Sequence, residues 1–244
     1  MKVDPMEVES IERLASKDME SFRGCKHAFE CLKCPEDLCV RIVSVADFPT
    51  RYGRFKIIAF VNNKDGKDHF IVLKGEIGSG EDVLTRVHSA CLTGDALGSL
   101  RCDCGPQLAK ALEMIEKEGR GLLLYHMEEG RGIGLANKLR AYALQDKGMD
   151  TYEANVAMGF KPDERDYRIP AEMLKRIGVK SVRLLTNNPE KVKDLEKAGI
   201  RVSETVRLQM PSSSHNRAYL KAKKERFGHF LEMDHTENGQ DRAY

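Results

Sequence analysis

Apolar residues recur along this chain at two spacings, and the change from one to the other divides it. Met6, Val8, Ile11, Leu14 and Ala15 fall at helical intervals behind Asp4-Pro5, an N-cap followed by a proline suited to a first helical turn, and predict a helix to about Phe22. Val40–Val45, Arg54–Val61, His69–Lys74 and Val83–His88 are β-branched or alternating segments with turn residues between them, and predict a meander of strands. From Pro106 the pattern alternates. A helix to about Glu118 is stopped by Gly119, a strand follows at Gly121–Tyr125, and a helix from about Ile133 to Lys147 is stopped by Gly148. A helix near Ala171–Ile177, a strand at Ser181–Leu185, a helix opened by Asn188-Pro189 and closed near Gly199, and a strand at Ile200–Val206 continue the series, and His215–Leu231 predicts a final helix. The expected fold is α/β (α+β mixed), an N-terminal β-meander running into an alternating α/β layer with helices packed on a mixed sheet. With no internal repeat or low-complexity linker, the simplest division is an N-terminal extension (1–38), one catalytic body (39–231) and a polar C-terminal tail (232–244).

Composition narrows the function. Among 244 residues, 40 Lys and Arg face 38 Asp and Glu, a net charge of +2, so the chain lacks the basic stripe that nucleic-acid binding requires. A hydrophobic content of 41% excludes wholesale disorder, and the longest apolar runs fall far short of the roughly 20 residues of a membrane span. Glu7, Glu9, Glu12, Asp18 and Glu20 occupy the stretch where a secretory signal would be apolar, so a cytoplasmic protein is expected. In that compartment thiols stay reduced, and seven cysteines point to metal before disulfides.

Cys91, Cys102 and Cys104 form C-x10-C-x-C. Two thiolates flanking one residue can face one ion while a third arrives from a strand end, and three soft ligands suit zinc with a fourth position left for water, the pattern of a catalytic site. His88 is near enough in sequence to serve as a fourth ligand, and Arg86 or Arg101 to offset the negative charge of three thiolates. The competing reading is three buried cysteines acting as small hydrophobes. Two strand-to-helix junctions suit phosphate. Glu129-Gly130-Arg131-Gly132 offers converging backbone N–H groups and a guanidinium, and Thr186-Asn187-Asn188-Pro189-Glu190-Lys191 offers a hydroxyl, capped amides and a lysine. An ordinary turn and an ordinary helix cap are their plain alternatives. Cys25, Cys31, Cys34 and Cys39 form C-x5-C-x2-C-x4-C, which suggests a closed structural zinc site stapling the extension to the body, or an iron–sulfur cluster, against Cys39 simply pointing into the core.

Arg86 to Asp95, Ser99 to Gln107, Glu129 to Leu135, Asn137 to Asp146 and Leu184 to Lys191, in that order, resemble GTP cyclohydrolase II, over a stretch from about Cys39 to Leu231. The resemblance implies hydrolysis of GTP with one catalytic Zn2+ per chain and Mg2+ on the triphosphate. It implies opening of the guanine ring, release of formate and pyrophosphate, a diaminopyrimidinone ribosyl phosphate as product, a place at the first step of riboflavin biosynthesis, and a homodimer. By matching motif, Cys91, Cys102 and Cys104 resemble the zinc ligands. Arg86, Val87, His88, Ser89, Ala90, Gln107, Glu129, Gly130, Arg131, Thr151, Thr186 and Lys191 resemble the nucleotide contacts. Asp163 resembles the proton acceptor, Arg165 the nucleophile toward the α-phosphate, and Tyr142 a tyrosine beside the ring being opened; without the family, Asp163 to Tyr167 reads as a solvated charged loop. Ala90 stands where the family typically has glutamate, and Met127-Glu128 where it typically has Arg-Gln. These departures motivate two rival readings, a paralogue that stops at a formylated ring-opened nucleotide and a zinc-containing GTP-binding regulatory protein. A zinc module for nucleic acid ranks last on charge.

Overall fold

The computed structural model describes residues 10–23 and 37–232. A single seven-stranded sheet carries the fold, in the order β1-β2-β3-β5-β4-β6-β7. Its strands are β1 (Val40–Thr50), β2 (Gly53–Asn62), β3 (His69–Lys74), β4 (Val83–Ser89), β5 (Gly121–His126), β6 (Ser181–Leu185) and β7 (Arg201–Val206). The helices are α1 (Ile11–Arg23), α2 (Leu92–Asp95), α3 (Cys104–Glu118), α4 (Gly134–Gln145), α5 (Thr151–Ala157), α6 (Arg168–Arg176), α7 (Pro189–Lys197) and α8 (Arg217–Phe227). The mixed α/β expectation holds, with one correction.

β1, β2 and β3 form the antiparallel meander, turned between the first two strands at Thr50, whose hydroxyl accepts from Tyr52 N at 3.1 Å and donates to Gly53 O at 3.1 Å. Val83–His88 is not its fourth strand. β5 pairs antiparallel with β3, and β4 lies beyond it, parallel to both β5 and β6. The reason is visible in burial, because β4 is covered at every position from Val83 to His88, as a central parallel strand is when helices cover both faces of a sheet.

Alternate strand residues serve opposite layers. Ile71 and Leu73 of β3 and Leu122 and Leu124 of β5 face one core, closed by Ile169, Met173 and Leu174 of α6 and by Ile11 and Ala15 of α1. Val72 and Leu123 face the other, closed by Ala111, Leu112 and Ile115 of α3 and by Leu208. The helix at residues 104–118 ends at Gly119, whose φ of 77° is the left-handed conformation that glycine adopts without a Cβ penalty. The sequence reading missed α2, the 3-10 turn at Glu129–Gly132, and α5. The last has a capping box, Asp150 with Glu153, each accepting from the other's backbone N–H.

Because β4, β5 and β6 run parallel, Ser89, His126 and Leu185 end at one edge of the sheet. Chain segments leaving that edge build a common crevice, the place where open α/β sheets bind ligands.

Candidate functional site

Three junctions meet in an open cleft. β4 delivers Arg86, His88, Ser89, Ala90 and Cys91, β5 delivers Glu128 to Arg131, and β6 delivers Thr186, Asn187, Asn188 and Lys191. Gln107, Tyr142, Thr151 and Arg165 also line it, with Arg101, Cys102 and Cys104. Val87 is absent from the lining, and its carbonyl oxygen instead accepts from Lys191 Nζ at 2.7 Å. Asp163 lines an adjoining hollow that shares Arg131, Arg165 and Asn188 with the cleft.

At one end the cysteines converge. Cys91 is the N-cap of α2, Cys102 lies in the following loop and Cys104 begins α3. Their sulfurs lie within 4.8 Å of one another, and Cys91 Sγ is 3.7 Å from Cys102 Sγ. Two thiolates on a tetrahedral zinc with bonds of about 2.3 Å stand about 3.8 Å apart, so the donor set fits that ion. Gly94 makes room for it, since a Cβ there would stand 2.8 Å from Cys102 Sγ and 3.1 Å from Cys91 Sγ. Hydrogen bonds with Cys102 and Cys104, then with the Lys138 ammonium, pull the Cys91 thiol far below the ordinary thiol range. Contacts with Cys102 and Cys91, then burial, push Cys104 well above it. The three thiols resist ionising together, and a divalent cation would let them do so.

His88 does not join the three sulfurs that lie within 4.8 Å of one another. Its Nε2 meets Asp95 Oδ2 at 2.9 Å, and the same carboxylate accepts from Cys91 N at 3.1 Å and Tyr125 OH at 2.7 Å, which fixes the strand end that carries Cys91. Arg86 and Arg101 make their hydrogen bonds elsewhere, although Arg86 lies within electrostatic reach of Cys104. Arg86 donates to Leu185 O at 2.8 Å and Gln107 Oε1 at 2.6 Å, while Arg101 pairs with Asp146 and stacks over Tyr142. The cation at the cluster is Lys138 of α4, which donates to Cys91 Sγ at 3.0 Å, Thr93 Oγ1 at 2.9 Å and Glu129 Oε1 at 2.8 Å. Although burial opposes it, contact with Glu129 and Cys91 holds that ammonium charged beyond the ordinary lysine range. Tyr142 OH lies 3.2 Å from Thr93 Oγ1, beside the same group. A lone lysine on a helix carries no sequence signal of such a role.

The other end is cationic. Arg165 donates through Nε to Asp163 Oδ1 at 2.8 Å, through Nη2 to Asp163 Oδ2, and through Nη1 to Ser89 Oγ at 3.1 Å. Burial works against its charge, but Tyr167 and Asp163 hold its proton more tightly than usual. Lys191 is driven well below the ordinary lysine range by burial, then by Arg86 and Arg165. Arg131 has a φ of 62°, an uncommon conformation for a residue other than glycine. It stacks over Phe227 at 3.8 Å, and its buried Nη1 has no partner among the described residues. Crowded cations that depress one another are relieved by a polyanion. Thr186 Oγ1 accepts from Asn188 N at 3.0 Å and so builds the cap of α7 as well as facing the cleft.

At the three departures, Ala90 N donates to His126 O at 2.8 Å, Met127 N donates to His69 Nδ1 at 3.1 Å, and Glu128 pairs with Lys67 at 3.1 Å while lining the cleft. Cys39 is buried at the start of β1, its N–H donating to Asn63 Oδ1 at 2.7 Å, whereas Cys25, Cys31 and Cys34 lie outside the described residues. Among the described residues no helix is long and apolar enough to cross a membrane.

The family model described as GTP cyclohydrolase II matches residues 40–207. The chain is 53% identical over 199 residues to a GTP cyclohydrolase-2 of Haemophilus influenzae, covering 81% of this chain and 92% of that protein. It is 53% identical over 198 residues to the riboflavin biosynthesis protein RibBA of Bacillus mycoides, covering 81% of this chain and 50% of that one. Among solved structures, a two-domain 3,4-dihydroxy-2-butanone 4-phosphate synthase from A. baumannii aligns with a TM-score of 0.35 and 18% identity over 70% of this chain and 42% of that one, too loosely to carry weight.

Proposed function

This chain belongs to the GTP cyclohydrolase II family, and from that premise we propose that it hydrolyses GTP with Zn2+ and Mg2+. In this reaction the guanine imidazole ring opens at C8 and formate and pyrophosphate leave. The remaining 2,5-diamino-6-(5-phosphoribosylamino)pyrimidin-4-one is the product of the first step of riboflavin biosynthesis. The observation that carries this reading is the spacing of the two ends of the cleft. Arg165 is tied to Ser89, and Cys91 follows two residues later, a separation of about 7 Å along an extended chain. In a nucleotide only the ribose separates the base from the α-phosphate, so one bound GTP brings its ring and its α-phosphate to these two ends together.

Cys91, Cys102 and Cys104 would hold the zinc, which supplies an acidified water and Lewis acidity toward the ring. Lys138 offsets the excess negative charge of three thiolates and keeps Glu129 turned toward the loop that carries Cys91. Tyr142, whose hydroxyl meets Thr93, would orient the ring as it opens. Arg86, Arg131 and Lys191 bind the phosphates, with Mg2+ on the triphosphate, and Gln107 fixes the Arg86 fork. Asp163 is the proton acceptor and Arg165 the group directed at the α-phosphate. A guanidinium attacks only after losing a proton, and the Asp163 carboxylate already receives two of its N–H groups. While the proton stays in place, the same guanidinium clamps charge on the phosphoryl group. Two chains forming a homodimer in the cytoplasm belong to the same reading.

Two variants separate the ends. Cys102→Ser should lose its zinc and slow formate release by more than about 100-fold, since a hydroxyl is a far weaker zinc ligand than a thiolate. Arg165→Ala should slow pyrophosphate release about 100-fold or more. Full formate production with one zinc per chain in the first, or unchanged pyrophosphate production in the second, would overturn the assignments.

A further inference from the structure

Helix α8 lies beyond the residues that the family model matches, 40–207, yet it forms a wall of the cleft through Tyr219 and Lys223. We propose that α8 is a working part of the site, and that Lys223 is a positioning residue which acts through Asp103 to fix the loop bearing Cys102 and Cys104. The inference rests on the reading that these cysteines hold a metal.

Asp103 stands between the two cysteines, and its side chain is 2% exposed. One carboxylate oxygen accepts from Lys223 Nζ at 2.7 Å and the other from Gln107 Nε2, whose Oε1 in turn accepts from Arg86. A buried carboxylate held by fixed donors on both oxygens has one orientation. The backbone from Cys102 to Cys104 therefore cannot swing without exposing an unpaired buried charge, the costliest way to break an ion pair. Lys223 arrives from 120 residues further along the chain, so this restraint exists only when α8 is docked.

Docking is itself secured at the cleft. Phe227, one turn beyond Lys223, lies under the Arg131 guanidinium at 3.8 Å and beside Tyr152 of α5 at 6.1 Å. Arg226 pairs with Asp150 at 3.1 Å, and Phe230 N donates to Asn187 O at 2.9 Å. One helix thus grips the cysteine loop with residue 223 and the phosphate-binding turn with residue 227, at the i, i+4 spacing that puts both on one face.

The test uses the full chain loaded with Co2+, comparing wild type, Lys223→Met, Lys223→Gln, and Lys224→Met as an exposed neighbour. The readouts are the thiolate-to-cobalt absorption and the rate at which excess chelator strips the metal. Lys223→Met should release cobalt about tenfold faster or more, with an altered absorption band, while Lys224→Met matches wild type. Adding Lys223→Met to Asp103→Asn should change release no further, because both act on one restraint. Wild-type release and absorption in Lys223→Met, or additive effects in the double variant, would overturn the inference. If Lys223→Met fails to fold, the same readouts on Lys223→Gln decide it. Unchanged release in the variants overturns this inference alone, whereas a wild-type chain that binds no metal overturns the metal reading as well.

Discussion

His126 ends β5 with no exposed surface, and neither ring nitrogen has a hydrogen-bond partner among the described residues. Burial, then the charge on His69 and Arg165, lowers its pKa from 6.5 to about 3. A histidine depressed in this way binds its proton in the unfolded chain before it does in the folded one. The stability it permits is whole above about pH 6.5 and is lost progressively as the pH falls toward 3. At pH 5 the loss amounts to about 2 kcal/mol. His126→Leu should therefore lose about 2 kcal/mol less than wild type between pH 8 and pH 5 in urea unfolding, and parallel pH profiles would refute the account. No feature of the sequence announces this residue, because a histidine after an apolar strand reads the same whether its ring is buried or solvated. The cysteines differ. Cys91, Cys102 and Cys104 were legible as a group because few uses other than a metal need three thiols at that spacing, whereas Lys138, Lys223 and Asp103 depend on contacts between distant segments.

Elements act here through their ends. Parallel pairing of β4 with β5 and β6 sets three loops side by side; those after β5 and β6 were readable from the sequence, because glycine, asparagine and proline at a strand-to-helix junction have local physical reasons, and the one after β4 was marked by its cysteine. The order of the strands was not readable. β4 follows β3 in the chain, and only the insertion of β5 between them makes β4 central. The capping box of α5 is a local signal of a helix start, while α2 is too short for any periodicity to mark. Close packing of α2 on the start of α3 leaves no room for a side chain at Gly94. A Cβ on Gly94 would approach Cys102 Sγ to 2.8 Å and Cys104 Cβ to 3.0 Å. Gly94→Ala should accordingly bind less than half an equivalent of zinc while keeping its far-ultraviolet circular dichroism. A full equivalent bound with wild-type affinity would show that the loop yields more readily than its packing implies.

At the scale of the whole molecule, a near-neutral chain concentrates buried cations in one cleft, with Arg86, Arg131, Arg165 and Lys191 at the ends of a sheet whose two faces are otherwise apolar. Net charge gave no hint of this, since +2 records the sum and not the placement. Thiols and cations share one crevice, the arrangement that the proposed ring opening and phosphoryl cleavage of a single substrate would need. Sheet and helices set the two groups in one cleft, and the C-terminal helix forms part of its wall. The proposed reaction breaks both C8–N bonds and the α–β phosphoanhydride bond of one GTP in this cleft. It is tested most directly by incubating zinc-loaded protein with GTP labelled with carbon-13 at C8, in the presence of Mg2+, and following formate and pyrophosphate together by nuclear magnetic resonance. The account predicts labelled formate and pyrophosphate rising in equal amounts with a ring-opened pyrimidine nucleotide left behind, and GTP that stays intact, or a product that keeps its labelled carbon, would contradict it.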